Sequence, residues 1–463
     1  MRLREGEGER RVTNFPTASG TTVPVALALA LAVGLGSRPA AATRRHPFAG
    51  RLPWHPQLLL RGCEMTRALL AALCLSPAIS QQVLPATSPL IQWTGRNVRD
   101  EASQTVSFDW QSVRALFTVT GATSVWASIN STFWASPPTL VHGGAVPEHA
   151  AAPSAARSLQ NSQFPKFGVY RVYVDGRPIN RNESGVLTFP GLDEYALVTN
   201  LDPSKTYNVS MWYTTDPVLS SWPDLDLGRG CMQKVVSLRT DGAFATPPPP
   251  RTKSMLIIGD SITSGNDMYI PCSNATTCDS GQSYAGLLCE AFALNCTQLS
   301  ASSKGLVHNC CDKLSVTVPV LANRTFAQDN ETMFDWSTTP FDAVWIHLGT
   351  NDGSQSPPEV FSAAYLNLMY SVTRHSPPGV PIFAAFGPNS DTFVPWVEAA
   401  IAQGKALGLN ATLINLMDAP LDGCHHPGVE GHPQMARIAA PVIANVTGWA
   451  WTAANIPPYT ENS

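Results

Sequence analysis

The chain has 463 residues, of which 44% are hydrophobic, enough to build a sizeable core in two folded parts with non-structural segments besides. Charged residues make up only 14% and the formal charge is −4, which excludes an electrostatic nucleic-acid binder with its basic excess. No apolar run reaches the ~18 residues needed to cross a bilayer, so a multi-span membrane protein is excluded too.

Two apolar runs open the chain. The first is Val23 to Gly36, followed by Pro39-Ala40-Ala41-Ala42. The second is Ala68 to Leu75, with Met65-Thr66-Arg67 before it and Ser76-Pro77-Ala78-Ile79-Ser80 after it. The second has the short basic start, apolar centre and small-residue cleavage site of a secretory signal, with the mature chain beginning at Gln81. On this reading Met65 is the true start, and residues 1–64 are a leader or an extension of the gene model. The alternatives are that the first run is the signal, or that neither run is. Nine Asn-x-Ser/Thr sequons (Asn130, Asn182, Asn208, Asn274, Asn295, Asn323, Asn330, Asn410 and Asn445) point the same way, towards a glycosylated surface. Ten cysteines occur, and eight remain after the leader: Cys231, Cys272, Cys278, Cys289, Cys296, Cys310, Cys311 and Cys424. An even count in a secreted chain implies disulfides, with connectivity left open.

Residues 81–245 read as a β-domain. Thr105 to Trp110 and Ala115 to Thr120 alternate in β-branched and aromatic residues. Val169 to Val174 runs into Asp175-Gly176, a tight hairpin signal. Tyr195 to Thr199 and Tyr207 to Tyr213 flank Asp202-Pro203. Long helical periods are missing, so an antiparallel sandwich or jelly roll is expected. An Ala-, Pro-, Ser- and Gly-rich stretch at 134–166 reads as an insertion. Residues 246–253, with four consecutive prolines from Pro247 to Pro250, form a stiff spacer.

Residues 254–463 change pattern. Strands are expected at Ser254 to Ile258, Ala343 to Leu348, Val380 to Phe386 and Ala411 to Leu416. Helices are expected at Ser283 to Leu294, Pro358 to Ser371, Val394 to Leu407 and Val429 to Val446. Alternating strands and helices imply an α/β fold, a parallel sheet with helices on both faces. Ligands bind such sheets at the carboxyl ends of the strands. Three motifs sit there or just before the last helix: Gly259-Asp260-Ser261-Ile262-Thr263, Gly349-Thr350-Asn351-Asp352, and Asp422-Gly423-Cys424-His425-His426-Pro427.

These residue types suit ester cleavage. A serine hydroxyl needs a nearby imidazole to take its proton. Ser261, on a strand-to-helix turn, and a C-terminal histidine supply that pair. The tetrahedral intermediate needs neutral donors for its new negative charge. The Asn351 amide, the Ser261 N–H and a loop glycine such as Gly305 supply them. Asp260 and Asp352 read as turn braces. The spacing of His425, His426 and His432 matches no zinc motif, so neither metal nor other cofactor is expected. Cys424 reads as a disulfide partner that holds the histidine loop rather than as a reactive thiol. Trp222, Trp336 and Trp396 are candidates either for stacking on a sugar or for the core.

In that order, Gly-Asp-Ser, a loop glycine, Gly-x-Asn-Asp and a late His-Pro resemble the SGNH (GDSL) hydrolases. The β-domain in front, the segment Ser303 to Asn309 and the strands from Tyr195 to Tyr213 resemble carbohydrate esterase family 2 more narrowly. The resemblance covers roughly residues 95–450. It implies a jelly-roll domain followed by a flavodoxin-like SGNH domain, with deacetylation of acetylated polysaccharide or oligosaccharide, as in acetyl xylan esterases. It also implies Ser261 as nucleophile, Ser261, Gly305 and Asn351 as the oxyanion hole, and His426 as base, since His426 directly precedes proline and His432 follows. The family's acid two residues before the base is here Cys424. Asp422 is therefore the expected orienting acid, with a backbone carbonyl as the alternative. A secreted monomer with no nucleic-acid partner is expected. The rival functions are a general short-chain or lipid esterase, a carbohydrate-binding protein without catalysis, and an acetyltransferase.

Overall fold

The computed structural model describes residues 81–133, 168–179, 185–218, 231–269, 278–310, 316–353 and 356–457. The segments read as a leader (1–80) and as an insertion (134–166), together with Trp222, lie outside the described residues.

The first half is strand and turn: Gln82–Pro85 (β1), Gln92–Thr94 (β2), Val98–Asp100 (β3), Thr105–Phe108 (β4), Arg114–Thr120 (β5), Val125–Phe133 (β6), Gly168–Val174 (β7), Arg177–Pro178 (β8), Val186–Thr188 (β9), Gly191–Val198 (β10), Thr206–Tyr213 (β11), Cys231–Thr240 (β12) and Ala243–Ala245 (β13). One antiparallel sheet runs β10-β6-β12-β4-β3, with β1 beside β12. The other runs β13-β5-β11-β7-β8, with β2 beside β5 and β9 beside β7. Alternation decides the inner faces. Ala115, Phe117 and Val119 of β5 pair with Met211, Val209 and Tyr207 of β11. They share one core with Val106 and Phe108 of β4 and Ala127 and Ile129 of β6 from the other sheet. The Asp175-Gly176 hairpin forms as expected, with both residues at positive φ between β7 and β8.

The second half carries a five-stranded parallel sheet: Ser254–Gly259 (β14), Asn295–Ser300 (β15), Ala343–His347 (β16), Pro381–Phe386 (β17) and Asn410–Asn415 (β18). Its helices are Ser261–Ser264 (α1), Tyr284–Ala291 (α2), Val318–Ala322 (α3), Pro358–Thr373 (α4), Val394–Ala406 (α5) and Gly431–Thr447 (α6). The spatial order β15-β14-β16-β17-β18 is the flavodoxin-like order, second-first-third-fourth-fifth. Successive residues of β14 go to opposite faces. Leu256 and Ile258 pack with α3, α4 and α5, while Met255 and Ile257 pack with α2 and α6. Burial on both faces makes β14, β16 and β17 continuous apolar runs, which is how the sequence revealed them.

The sequence pattern misses β15. It reads Asn-Cys-Thr-Gln-Leu-Ser, too polar for a buried strand, yet Gln298 and Ser300 are buried. The reason is its place at the sheet edge, against the β-region. Gln298 Oε1 accepts from Ser112 Oγ at 2.8 Å, and the Ser300 carbonyl accepts from Gln111 Nε2 at 2.7 Å. A Cys289–Cys296 disulfide ties α2 to this strand.

The two halves meet along a polar seam. The buried Asp109 carboxylate accepts from the N–H groups of Ala327 (2.8 Å) and Gln328 (2.9 Å). Arg96 Nη1 donates to the carbonyls of Ala322 (2.6 Å) and Arg324 (2.7 Å), with its guanidinium 3.7 Å from the Phe334 ring centre. Arg114 pairs with Glu290 at 2.7 Å and Arg171 with Asp279 at 3.4 Å.

Candidate active site

The strand order reverses between β14 and β16, because β15 lies on one side of β14 and β16 on the other. The crevice above such a reversal is where open α/β sheets place their ligands. Ser261 follows β14 and Asn351 follows β16, so both fall there.

Ser261 opens α1. The preceding Asp260 caps that helix, its carboxylate accepting from the Ile262 N–H at 3.0 Å. Burial pushes the Asp260 carboxyl up to about 7. Ser261 itself is buried, 5% exposed.

The histidine comes from the loop before α6. His426 Nε2 lies 2.9 Å from Ser261 Oγ. Two acceptors hold its other nitrogen. His426 Nδ1 lies 3.3 Å from Asp267 Oδ2 and 3.2 Å from the Cys424 carbonyl. With Nδ1 carrying the proton, Nε2 keeps its lone pair for the serine hydroxyl. Burial works against the imidazolium, but the Asp267 carboxylate and the Cys424 carbonyl outweigh it, so the pKa of His426 lies above the ordinary 6.5.

His425 goes elsewhere. It is exposed at positive φ, and its carbonyl accepts from Asn389 Nδ2 at 2.7 Å. Of the two adjacent histidines, His426 meets Ser261. Cys424 is disulfide-bonded, which fixes the loop beside the imidazole.

Asp422, the expected orienting acid, is a correction. Its carboxylate is engaged by backbone instead: Oδ1 accepts from Gly428 (2.6 Å) and Gly431 (2.9 Å), and Oδ2 from Glu430 (2.8 Å). A negative group at these N–H donors closes the histidine loop onto the start of α6. The acid at the imidazole is Asp267, which the sequence reading missed. It lies six residues after the serine rather than near the histidine, and no local spacing marks it. The close approach leaves one trace, at Gly423, where a Cβ would sit 2.6 Å from the Asp267 carbonyl oxygen.

The third wall is the loop from Ser302 to Asn309. Asp352 organises it, accepting from the N–H groups of Leu306 (2.9 Å), Val307 (2.6 Å) and His308 (3.0 Å). Gly305 has to be glycine, because a Cβ there would lie 2.0 Å from the His308 carbonyl oxygen and 2.6 Å from Asp352 Oδ2. Asn351 Nδ2 donates to the Lys304 carbonyl at 2.9 Å, tying its strand end to the same loop. The Gly305 N–H donates to Asn309 Oδ1 at 3.1 Å.

His432 lies behind the site, inside α6. Its Nδ1 accepts from the Tyr284 N–H at 3.2 Å, and burial pushes its pKa down to about 3, so it stays neutral. Trp336 is buried in the core and Trp396 packs against it. Among the described residues no group of three His, Cys, Asp or Glu side chains is placed to hold a metal ion. Cys278 is a buried free thiol whose pKa burial raises well above the ordinary value.

No protein-family model matches the chain, and no curated protein matches its sequence. Solved structures do match in fold. A family two carbohydrate esterase from Cellvibrio japonicus superposes with a TM-score of 0.61 at 16% identity, covering 80% of this chain and 99% of its own. A family two carbohydrate esterase from Clostridium thermocellum, solved in complex with cellohexaose, has a TM-score of 0.60 at 19% identity, covering 78% of this chain and 99% of its own. An acetyl xylan esterase from Butyrivibrio proteoclasticus has a TM-score of 0.63 at 14% identity, covering 80% of this chain and 99% of its own. The chain shares their two-part fold, a β-rich region followed by the parallel-sheet region that its motifs led us to expect.

Proposed function

We propose that the protein is a secreted serine esterase that removes acetyl groups from O-acetylated carbohydrate. The observation that carries the chemistry is the 2.9 Å contact between Ser261 Oγ and His426 Nε2, with the far side of the imidazole held by Asp267 and the Cys424 carbonyl.

In this reading His426 Nε2 takes the proton as Ser261 Oγ attacks the acetyl carbonyl. Asp267 stabilises the imidazolium that forms. The new oxyanion is met by the Ser261 N–H and by the second N–H of the Asn351 amide, whose first is held by Lys304. The Gly305 N–H joins them when it exchanges Asn309 Oδ1 for the oxyanion. His426 then protonates the departing sugar hydroxyl. Water, deprotonated by His426 in turn, releases acetate and restores the serine.

The carbohydrate substrate rests on the shared fold and on the motif resemblance. Secretion rests on the signal-like segment ending at Ser80 and on the sequons. Among the described residues, the sequon asparagines Asn330, Asn410 and Asn445 are exposed. The test is acetate release from acetylated xylan and acetylated glucomannan by the chain starting at Gln81, beside Ser261→Ala. Release that disappears in the variant supports the reading. Turnover of longer acyl esters without acetate release moves the protein to general esterases. No turnover of either class overturns the enzyme reading.

A further inference from the structure

A second carboxylate bears on the site from outside the α/β half. Asp216 follows β11 in the β-region and is fully buried at the seam. Its Oδ1 accepts from the Val218 N–H at 2.7 Å, which fixes the carboxylate to its own turn. Its Oδ2 receives three donors: Ser264 Oγ at 2.6 Å, Ser302 N at 2.9 Å and Ser302 Oγ at 3.0 Å. Ser264 closes α1, three residues after Ser261. Ser302 begins the loop that carries Gly305, three residues before it. One oxygen thus joins the nucleophile's helix to the oxyanion loop. Gln111, also from the β-region, donates to Ser264 Oγ at 3.0 Å, and Ser264 Oγ lies 3.1 Å from Ser300 Oγ. The whole node is closed to water: Ser264 and Ser300 are fully buried, Gln111 is 1% exposed and Ser302 2%.

We infer that Asp216 is a positioning residue for ester cleavage, holding the Ser261 helix and the Gly305 loop at a fixed separation through one shared carboxylate oxygen. This rests on the reading of Ser261 as nucleophile. It goes further by making the β-region part of the catalytic geometry rather than a separate module. A buried carboxylate suits the task, because an ionised oxygen accepts several short bonds at once and gives stronger ones than a neutral carbonyl. Reaction geometry tolerates little slack, since a displacement of about 1 Å costs on the order of 100-fold in rate.

Asp216→Asn in the full chain is the direct test. It keeps the side chain's volume but replaces one acceptor oxygen with a donor, which must then face an N–H or a hydroxyl. Two readouts are needed: kcat and KM on an acetyl ester, and the rate at which a fluorophosphonate labels Ser261. The expected result is a fall of about 10- to 100-fold in both kcat and labelling rate, with KM within about threefold. Asp109→Asn is the control. It perturbs a buried seam carboxylate that contacts neither catalytic wall, so melting temperature is expected to fall while labelling stays within about twofold. Labelling and kcat within twofold of wild type in Asp216→Asn, with only a lowered melting temperature, would overturn the inference. If that variant does not fold, Ser264→Ala and Ser302→Ala each remove one donor, and wild-type labelling in both overturns it equally. If wild type is labelled at Ser261 but releases no acetate, the substrate reading fails, and the labelling ratio still judges Asp216. If wild type is not labelled at all, the nucleophile and the positioning inference fall together.

Discussion

The serine side and the histidine side of the site are built in opposite ways. Ser261 sits on a turn whose start is set locally, by an apolar strand, an Asp260 cap one residue earlier and a helix that begins at the serine itself, while Asp216 and Gln111 reach only the far end of that helix, at Ser264. His426 sits on an irregular loop that Asp422 closes locally onto the start of α6. Further restraints come from far along the chain: Asp267 at the imidazole, Asn389 on the His425 carbonyl, and a disulfide at Cys424. Ser261 is thus placed mainly by a rule a short motif can carry, and His426 in good part by contacts that no motif carries. Substitutions on the two sides should differ accordingly.

The sharpest break comes from removing either reacting group. Ser261→Ala and His426→Ala are each expected to lower kcat by at least about 10⁴-fold, and the double variant by no more than either alone, because the pair acts as a unit. Steady-state kinetics on an acetyl ester checks this. Additive losses would separate what the 2.9 Å contact joins.

Gly305→Ala comes next. Its Cβ has no room beside His308 and Asp352, so the loop must move, and a fall of about 100-fold in kcat is expected with KM little changed. Unchanged kinetics would remove this loop from the oxyanion site.

Asp267→Asn tests the non-local side more finely. The Cys424 carbonyl still accepts from Nδ1, so the useful tautomer survives, and the expected loss is about 10- to 100-fold, short of the ~10⁴ seen when a triad acid alone fixes the tautomer. The pH profile carries the sign. As the base of the proposed reaction His426 must be neutral, and its pKa is raised above 6.5, so activity is expected to rise with pH through a midpoint above that value. Without the Asp267 charge the midpoint moves to lower pH. A midpoint that stays in place would mean that Asp267 does not govern the imidazole.

The smallest effects separate the motif residues that the sequence could not rank. His425→Ala is expected to leave kcat within about twofold, as for an exposed surface position. Asp422→Asn should cost about 1–2 kcal/mol of stability by weakening three backbone bonds at the start of α6, read by urea unfolding. A loss of activity in Asp422→Asn as large as in Asp267→Asn, without loss of stability, would restore Asp422 as the orienting acid.

How far the sequence could be read follows from the same contrast. The strands at Ser254 and Ala343 were legible because burial on both faces makes them uniformly apolar, and Ser261 and Asn351 were legible because they follow directly. His426, which the resemblance picks over His425 by the proline that follows it, is the one that lies at Ser261. Asp267 was not legible, because its partner lies 159 positions downstream and only the folded chain brings them together. The strand at Asn295–Ser300 was not, because its polar residues are satisfied by Gln111 and Ser112 of the other half, which no local window contains.

That polar strand also bears on how such a protein can be inherited. In a free-standing α/β domain, a margin strand ends at solvent or is blunted with charge. Here the margin is finished by another part of the same chain. A gene that kept only residues 254–463 would not encode a smaller version of the same protein. It would encode a sheet with an open, hydrogen-bonding rim, ready to pair with its own copies. Rearrangements that shuffle domains are therefore expected to carry both halves or neither.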